Sequence, residues 1–86
     1  MNKSATQEFY SEIKKANLEI ENKVHFKNLN IIINNRYVDT NLKKRLIKEG
    51  KIDISHYLKK GKNIVTYQID GDKESGDVKF FIKPEE

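Results

Sequence analysis

The stretch KIDISHYLKKGKNIVTYQI, residues 51–69, decides the fold because it contains two strand patterns separated by a turn. Ile52 and Ile54 are apolar residues two apart, which is the spacing of one face of a β-strand. Residues 55–60 are typical of a turn or of a single helical turn, and a glycine follows that can close it. Apolar and polar residues then alternate over residues 64–69. The stretch therefore predicts two strands joined by a short corner.

Further strand patterns surround this stretch. Residues 18–26, LEIENKVHF, alternate between apolar and polar, and residues 29–33 are nearly all apolar. Asn34-Asn35 tolerates left-handed backbone and favours a tight turn into a return strand at residues 37–38. Residues 78–82 form the last strand pattern, which Pro84 ends. The short spacing of these strands predicts an all-β fold: a small antiparallel β-sandwich of five to six strands spanning residues 18–84, as a single domain.

The N-terminus carries a helical pattern. Ser4 and Gln7 have the S-x-x-Q spacing of a capping box. Apolar residues follow at helical spacing: Phe9, Ile13 and Ala16. We expect a short amphipathic helix over about residues 5–16, so that residues 1–17 pack as a helix on the sheet. A helix that binds a partner is the alternative.

A second helical segment is predicted near residues 41–49. Asp39 or Thr40 can cap its N-terminus, and Gly50 is placed to end it. Its two leucines are four residues apart, which gives it one apolar side: Leu42 and Leu46.

Composition limits the class of protein. The chain has 86 residues, a net charge of +4 and 36% hydrophobic residues, which suits one domain with a modest core. It has no cysteine, so disulfides and thiolate metal sites are excluded. The sequence has neither the apolar core of a signal peptide nor a run that could span a bilayer. We expect a soluble protein without membrane insertion, either cytoplasmic or a domain of a larger surface protein.

Positive charge is concentrated in the middle of the chain. Residues 23–62 hold eleven Lys or Arg against three acidic residues, a net charge of +8. The candidate binding residues come from this region: Arg36, Tyr37, Lys43, Lys44, Arg45 and Lys48. They could contact phosphates of a nucleic acid, or they could simply be the solvated side of a helix.

Catalytic and metal-binding patterns are weak. His25 and His56 lie in unrelated segments, outside any metal-ligand spacing. The acidic residues 70–77, DGDKESGD, miss the EF-hand pattern because glycine comes one position late and no glutamate stands at position twelve. We therefore expect a chain that is not an enzyme, with no cofactor and no metal.

One stretch resembles a known family. Four features carry the resemblance: Ile52-Asp53-Ile54-Ser55, then Tyr57-Leu58, Lys60-Gly61, and Asn63 leading into an alternating strand. This pattern resembles galactose-binding-like jelly-roll modules of the kind attached to glycoside hydrolases, over about residues 29–70. In physical terms Asp53 and Ser55 can accept bonds from turn N–H groups, and Asn63 can bond back to the turn backbone. The resemblance implies a β-sandwich fold rather than an activity.

Three functions remain open at this point. The leading hypothesis is a non-catalytic accessory or interaction module that binds a protein partner, self-associates through open strand edges, or supports assembly of a larger protein. The alternative is a carbohydrate-binding module that stacks a sugar on a tyrosine, with Tyr37 the least constrained of the four tyrosines. A basic nucleic-acid-binding domain is the third.

Overall fold

The computed structural model describes residues 2–21, 26–71 and 78–84, and most of them lie in β-strands. The elements, in chain order, are β1 (Asn2–Ser11), β2 (Ala16–Glu21), β3 (Phe26–Ile33), β4 (Arg36–Tyr37), α1 (Thr40–Glu49), β5 (Lys51–Asp53), a 3₁₀ turn (Ser55–Tyr57), β6 (Gly61–Gly71) and β7 (Lys79–Pro84). The strands form two antiparallel sheets, of order β1-β6-β3-β4 and β5-β2-β7.

A single core joins the two sheets and the helix. It includes Leu18 of β2, Ile31 of β3, Leu46 of α1 and Tyr67 of β6, all of them essentially buried. The ring of Tyr67 stacks on the ring of Phe80 across the two sheets, with centroids 4.0 Å apart. The predicted fold class is confirmed in its coarse form: a mainly β chain of two antiparallel sheets with one α-helix.

The predicted N-terminal helix is wrong. Residues 2–11 form the regular strand β1, which pairs with β6 along its whole length, and β2 begins at Ala16. The described residues 2–17 therefore do not form the helical unit predicted for residues 1–17. Gln7 does not complete a capping box with Ser4. Its amide instead accepts a bond from the Tyr67 hydroxyl at 2.7 Å and donates to the Phe80 carbonyl at 3.1 Å. Tertiary context overrides the local helical pattern here, because residues 2–11 hydrogen-bond to the backbone groups of β6 that do not pair with β3.

The strand count and one strand boundary also differ from the prediction. Seven strands lie within the described residues, rather than five to six, because β1 adds one. Of the predicted strand over residues 18–26, residues 18–21 lie in β2 and Phe26 lies in β3, which belongs to the other sheet. Val24 and His25, which were assigned to it, lie outside the described residues.

The local features around the predicted second helix are confirmed. The Asp39 side chain accepts from the Asn41 N–H at 2.7 Å and so caps α1, and Gly50 ends the helix with φ of 85°.

The predicted tight turn at Asn34-Asn35 is also confirmed. Asn34 and Asn35 both have positive φ, 51° and 67°, between β3 and β4. Such a turn matches the twist of the strands that it joins.

Candidate binding surface

The corner between β5 and β6 (residues 53–63) is held by side-chain hydrogen bonds. The Asp53 carboxylate accepts from the Ser55 N–H at 2.8 Å, as predicted. The Ser55 hydroxyl accepts from the Ala16 N–H of β2 at 3.2 Å rather than from an N–H of the turn. Two hydrogen bonds lower the pKa of the Asp53 carboxyl below its usual value: the larger effect comes from the Ser55 hydroxyl and the smaller from the Ser55 N–H. Gly61 closes the corner with φ of 93°. These bonds hold the 3₁₀ turn (Ser55–Tyr57) next to strand β4, where Arg36 contacts it.

An open concavity of about 570 Å³ lies where the corner, β4 and the start of α1 meet. We call it the β4–α1 concavity. Its lining residues come from three separate segments: Arg36, Tyr37, Asp39, Asn41, Leu42, His56 and Tyr57. Two of the predicted binding residues, Arg36 and Tyr37, are among them.

Arg36 is held against the wall of this concavity. Its guanidinium carbon lies 4.9 Å from the centre of the Tyr57 ring, within the range of a cation–π contact. Its Nη1 donates to the His56 carbonyl at 3.3 Å. The Tyr57 hydroxyl in turn accepts from the Asp39 N–H at 3.0 Å, which fixes the ring under the arginine. The cation is thus positioned before any ligand arrives.

Tyr37 is the exposed aromatic ring of the concavity. It follows Arg36 in the short strand β4, is paired with Ile32 of β3, and has 66% of its surface exposed. An exposed tyrosine offers an apolar ring face together with a hydroxyl that can donate or accept.

The basic residues of α1 do not join this surface. Lys43 donates from Nζ to the Asn30 side chain at 3.2 Å, and Arg45 forms an exposed ion pair with Glu49 at 3.6 Å. Lys44 and Lys48 are exposed elsewhere on the helix. The six predicted binding residues are therefore divided between the concavity and the solvated side of α1.

Of the other three tyrosines, one is more exposed than predicted. Tyr57 and Tyr67 are buried, and burial raises the pKa of the Tyr67 phenol above its usual value. Tyr10 is 75% exposed, more than Tyr37, and lies beside a second concavity of about 500 Å³ near Ile13 and Lys60. Tyr37 is thus not the most exposed tyrosine. It follows Arg36 in the chain and lines the same concavity, whereas the guanidinium of Arg36 itself contacts the buried ring of Tyr57.

Metal binding has no visible basis in the described part of the chain. No group of three His, Cys, Asp or Glu residues comes together there. His56 is exposed at the concavity, whereas His25 and residues 72–77 of the acidic loop lie outside the described residues. No helix within residues 2–21, 26–71 or 78–84 is long and apolar enough to cross a membrane.

Five lining residues were not among the predicted binding residues: Asp39, Asn41, Leu42, His56 and Tyr57. Asp39 and Leu42 were recognised as helix features, and His56 only as a turn residue. Nothing in the sequence indicated that the turn at residue 56 faces the start of α1, since the two segments meet only through the pairing of the strands around them. A usable signal exists only for Asp39, Asn41 and Leu42, which follow Arg36 and Tyr37 within a few residues of the chain.

Comparison of the chain with protein-family models, with curated proteins and with solved structures found no match. The resemblance to galactose-binding-like modules therefore stays a prediction.

Proposed function

We propose that this chain is a non-catalytic accessory module that binds a protein partner through the β4–α1 concavity. The observation that carries the proposal is an exposed tyrosine, Tyr37, next to an arginine, Arg36, whose side chain is already held in place. Tyrosine and arginine are among the residues that supply most of the binding energy at protein interfaces. A held side chain also loses less conformational entropy on binding.

The chemistry of this pair defines the partner surface. The Arg36 guanidinium has five N–H donors, more than its bond to the His56 carbonyl uses, and it suits a carboxylate of the partner. Tyr37 suits an apolar or aromatic side chain next to that carboxylate. The net charge of +4 favours approach of an acidic surface.

Site-specific photo-crosslinking in the organism that encodes the chain tests this proposal. A photoreactive residue replaces Tyr37 in one variant and Tyr10 in a matched control, because both tyrosines are exposed on strands at opposite ends of one sheet. We expect a discrete protein adduct from position 37 and none of the same mass from position 10. Equal adducts from both positions, or none from position 37, would count against the proposal.

Affinity for the captured partner then measures the contribution of each residue. We expect Tyr37→Ala and Arg36→Ala each to weaken binding by about 30-fold or more, the size of an interface hot spot. Tyr10→Ala and Lys44→Ala are the matched controls and should bind as the wild type does. An unchanged affinity of Tyr37→Ala would exclude the concavity as the binding surface.

Carbohydrate binding is the second candidate, favoured by the polar side chains around the same ring. Asp39, Asn41 and His56 lie beside Tyr37, and sugars are bound by ring stacking together with hydrogen bonds to their hydroxyls. A glycan array distinguishes the two functions. If the chain binds a sugar on the array, we expect Tyr37→Phe to keep that binding and Tyr37→Ala to lose it. If no glycan on the array binds the chain, carbohydrate binding is excluded as its function.

A further inference from the structure

The edges of the two sheets are protected unequally. Four strands lie at sheet edges among the described residues, and β4 and β5 are short, with two and three residues. The edge strand β7 carries Lys79, Lys83 and a final proline, and the Gln7 amide donates to its Phe80 carbonyl at 3.1 Å. Shortness, lysine, proline and covered carbonyls are the features by which natural sheets avoid pairing with other chains.

The edge strand β1 has little of this protection. It is ten residues long and pairs with β6 in unbroken register from Asn2 to Ser11. It contains no proline, and its one lysine, Lys3, stands at its beginning. The charge of Glu8 is paired with Lys62 at 2.9 Å, in contact with the neighbouring strand. A long, regular and nearly uncharged edge is a template for an added strand.

The register shows which backbone groups this edge presents. The Ile64 carbonyl accepts from the Asn34 N–H at 2.9 Å, so the peptide groups of Ile64 face β3. Glu8 is the residue of β1 directly opposite Ile64. Two directly opposite residues of an antiparallel pair either exchange both backbone hydrogen bonds or exchange neither. Because the N–H and C=O of Ile64 face β3, the N–H and C=O of Glu8 face away from β6. The same alternation applies to every second residue of β1, namely Ser4, Thr6, Glu8 and Tyr10.

We propose that β1 pairs antiparallel with β1 of a second copy of this chain, which joins two four-stranded sheets into one continuous sheet. A two-fold axis at Gln7 places Ser4 opposite Tyr10 and Thr6 opposite Glu8, so all four outward-facing residues of each copy obtain a backbone partner. In this register Glu8 does not meet its own copy, and the half-buried Phe9 lies opposite Ala5. The strand is thus complementary to itself.

This inference goes beyond partner binding at the β4–α1 concavity. In the sheet order β1-β6-β3-β4, the concavity and the β1 edge lie at opposite ends. A dimer through β1 leaves Arg36 and Tyr37 accessible, so either proposal can fail without the other.

A proline at an outward-facing position tests the pairing. Thr6→Pro removes an N–H that does not bond to β6, so it should leave the fold intact while blocking the second copy. Thr6→Val keeps the N–H and is the matched control. In sedimentation analysis up to millimolar concentration, we expect wild type and Thr6→Val to form dimers, and Thr6→Pro to stay monomeric with an unchanged circular dichroism spectrum. A monomeric wild type at millimolar concentration, or a Thr6→Pro variant that dimerises as the wild type does, overturns the proposal.

Hydrogen exchange of the unmodified chain gives a second readout should Thr6→Pro fail to fold. At low concentration the amides of Ala5, Gln7 and Phe9 should exchange slowly because they bond to β6, and those of Thr6, Glu8 and Tyr10 should exchange fast. Raising the concentration should slow the second group only. A dimer in which that group stays fast would place the contact elsewhere and refute the pairing.

Discussion

The side chain of Asn34 donates from Nδ2 to Oδ1 of Asn63 at 2.7 Å, and this bond ties the β3–β4 turn to the corner. Asn34 Nδ2 also donates to the Tyr57 carbonyl at 3.0 Å. Asn63 is fully buried, and its amide bonds to backbone groups of Lys59 and Gly61 between 2.9 and 3.1 Å. Two asparagines thus hold the walls of the β4–α1 concavity together.

Loss of the Asn63 amide should destabilise the whole domain. Asn63→Ala leaves buried donors and acceptors of the corner without partners, and we expect it to reduce the free energy of unfolding by about 2–4 kcal/mol. Urea denaturation measures the change. Gln68→Ala, an exposed position on the same strand, is the control and should change stability by less than about 0.5 kcal/mol. Similar losses in both variants would contradict the role given to Asn63.

The packing of α1 depends on one leucine. Leu46 is fully buried in the core, whereas its neighbour Ile47 is 41% exposed. We expect Leu46→Ala to cost about 2–5 kcal/mol of unfolding free energy, because it removes buried methyl groups and leaves a cavity. Ile47→Ala is the matched control on the same helix, with an expected cost below about 1 kcal/mol. Thermal and urea unfolding of the pair measure this difference, and equal effects would refute it.

The β3–β4 turn can be improved at one position and not at the other. Asn35 is exposed with φ of 67°, a conformation that glycine adopts without strain. We expect Asn35→Gly to raise the unfolding free energy by about 0.5 kcal/mol, since it creates the preferred Asn-Gly turn. Asn34→Gly should lower the unfolding free energy. Glycine also suits the positive φ of this position, but the variant loses the side-chain bonds from Asn34 to Asn63 and Tyr57. Urea midpoints of both variants test this, and stabilisation by both would be inconsistent with it.

Acid should weaken the corner through Asp53. Its pKa is lowered in the folded chain by hydrogen bonds from Ser55, so its contribution to stability is present above the usual pKa of aspartate and is lost as the pH falls through the folded value. Because Asp53 is exposed, we expect the contribution to be below about 1 kcal/mol. Urea midpoints between about pH 5 and pH 2 should fall less in Asp53→Asn than in the wild type. The same acid response in both proteins would show that the Ser55 bonds do not stabilise the carboxylate.

Local patterns predicted the parts of the fold that depend on neighbouring residues. The cap at Asp39, the stop at Gly50 and the turn at Asn34-Asn35 follow from short-range hydrogen bonds and backbone sterics, which a few adjacent residues specify. The N-terminal strand was mispredicted for the opposite reason. Its inward side includes Gln7, whose partners Tyr67 and Phe80 are distant in the chain, so the apolar alternation of a strand is absent.

The sequence by itself determined the helix ends, the turn at Asn34-Asn35 and the local bonds of the corner, because each of these is made by groups within a few residues of one another. The bonds that tie the corner to Ala16 and to Asn34 join distant residues and depend on the tertiary structure. Only the tertiary structure decided that β1 is an edge strand and that Arg36, Tyr37 and His56 share one concavity. These arrangements depend on antiparallel register between strands far apart in the chain and on packing in a common core. No local preference encodes such distant contacts.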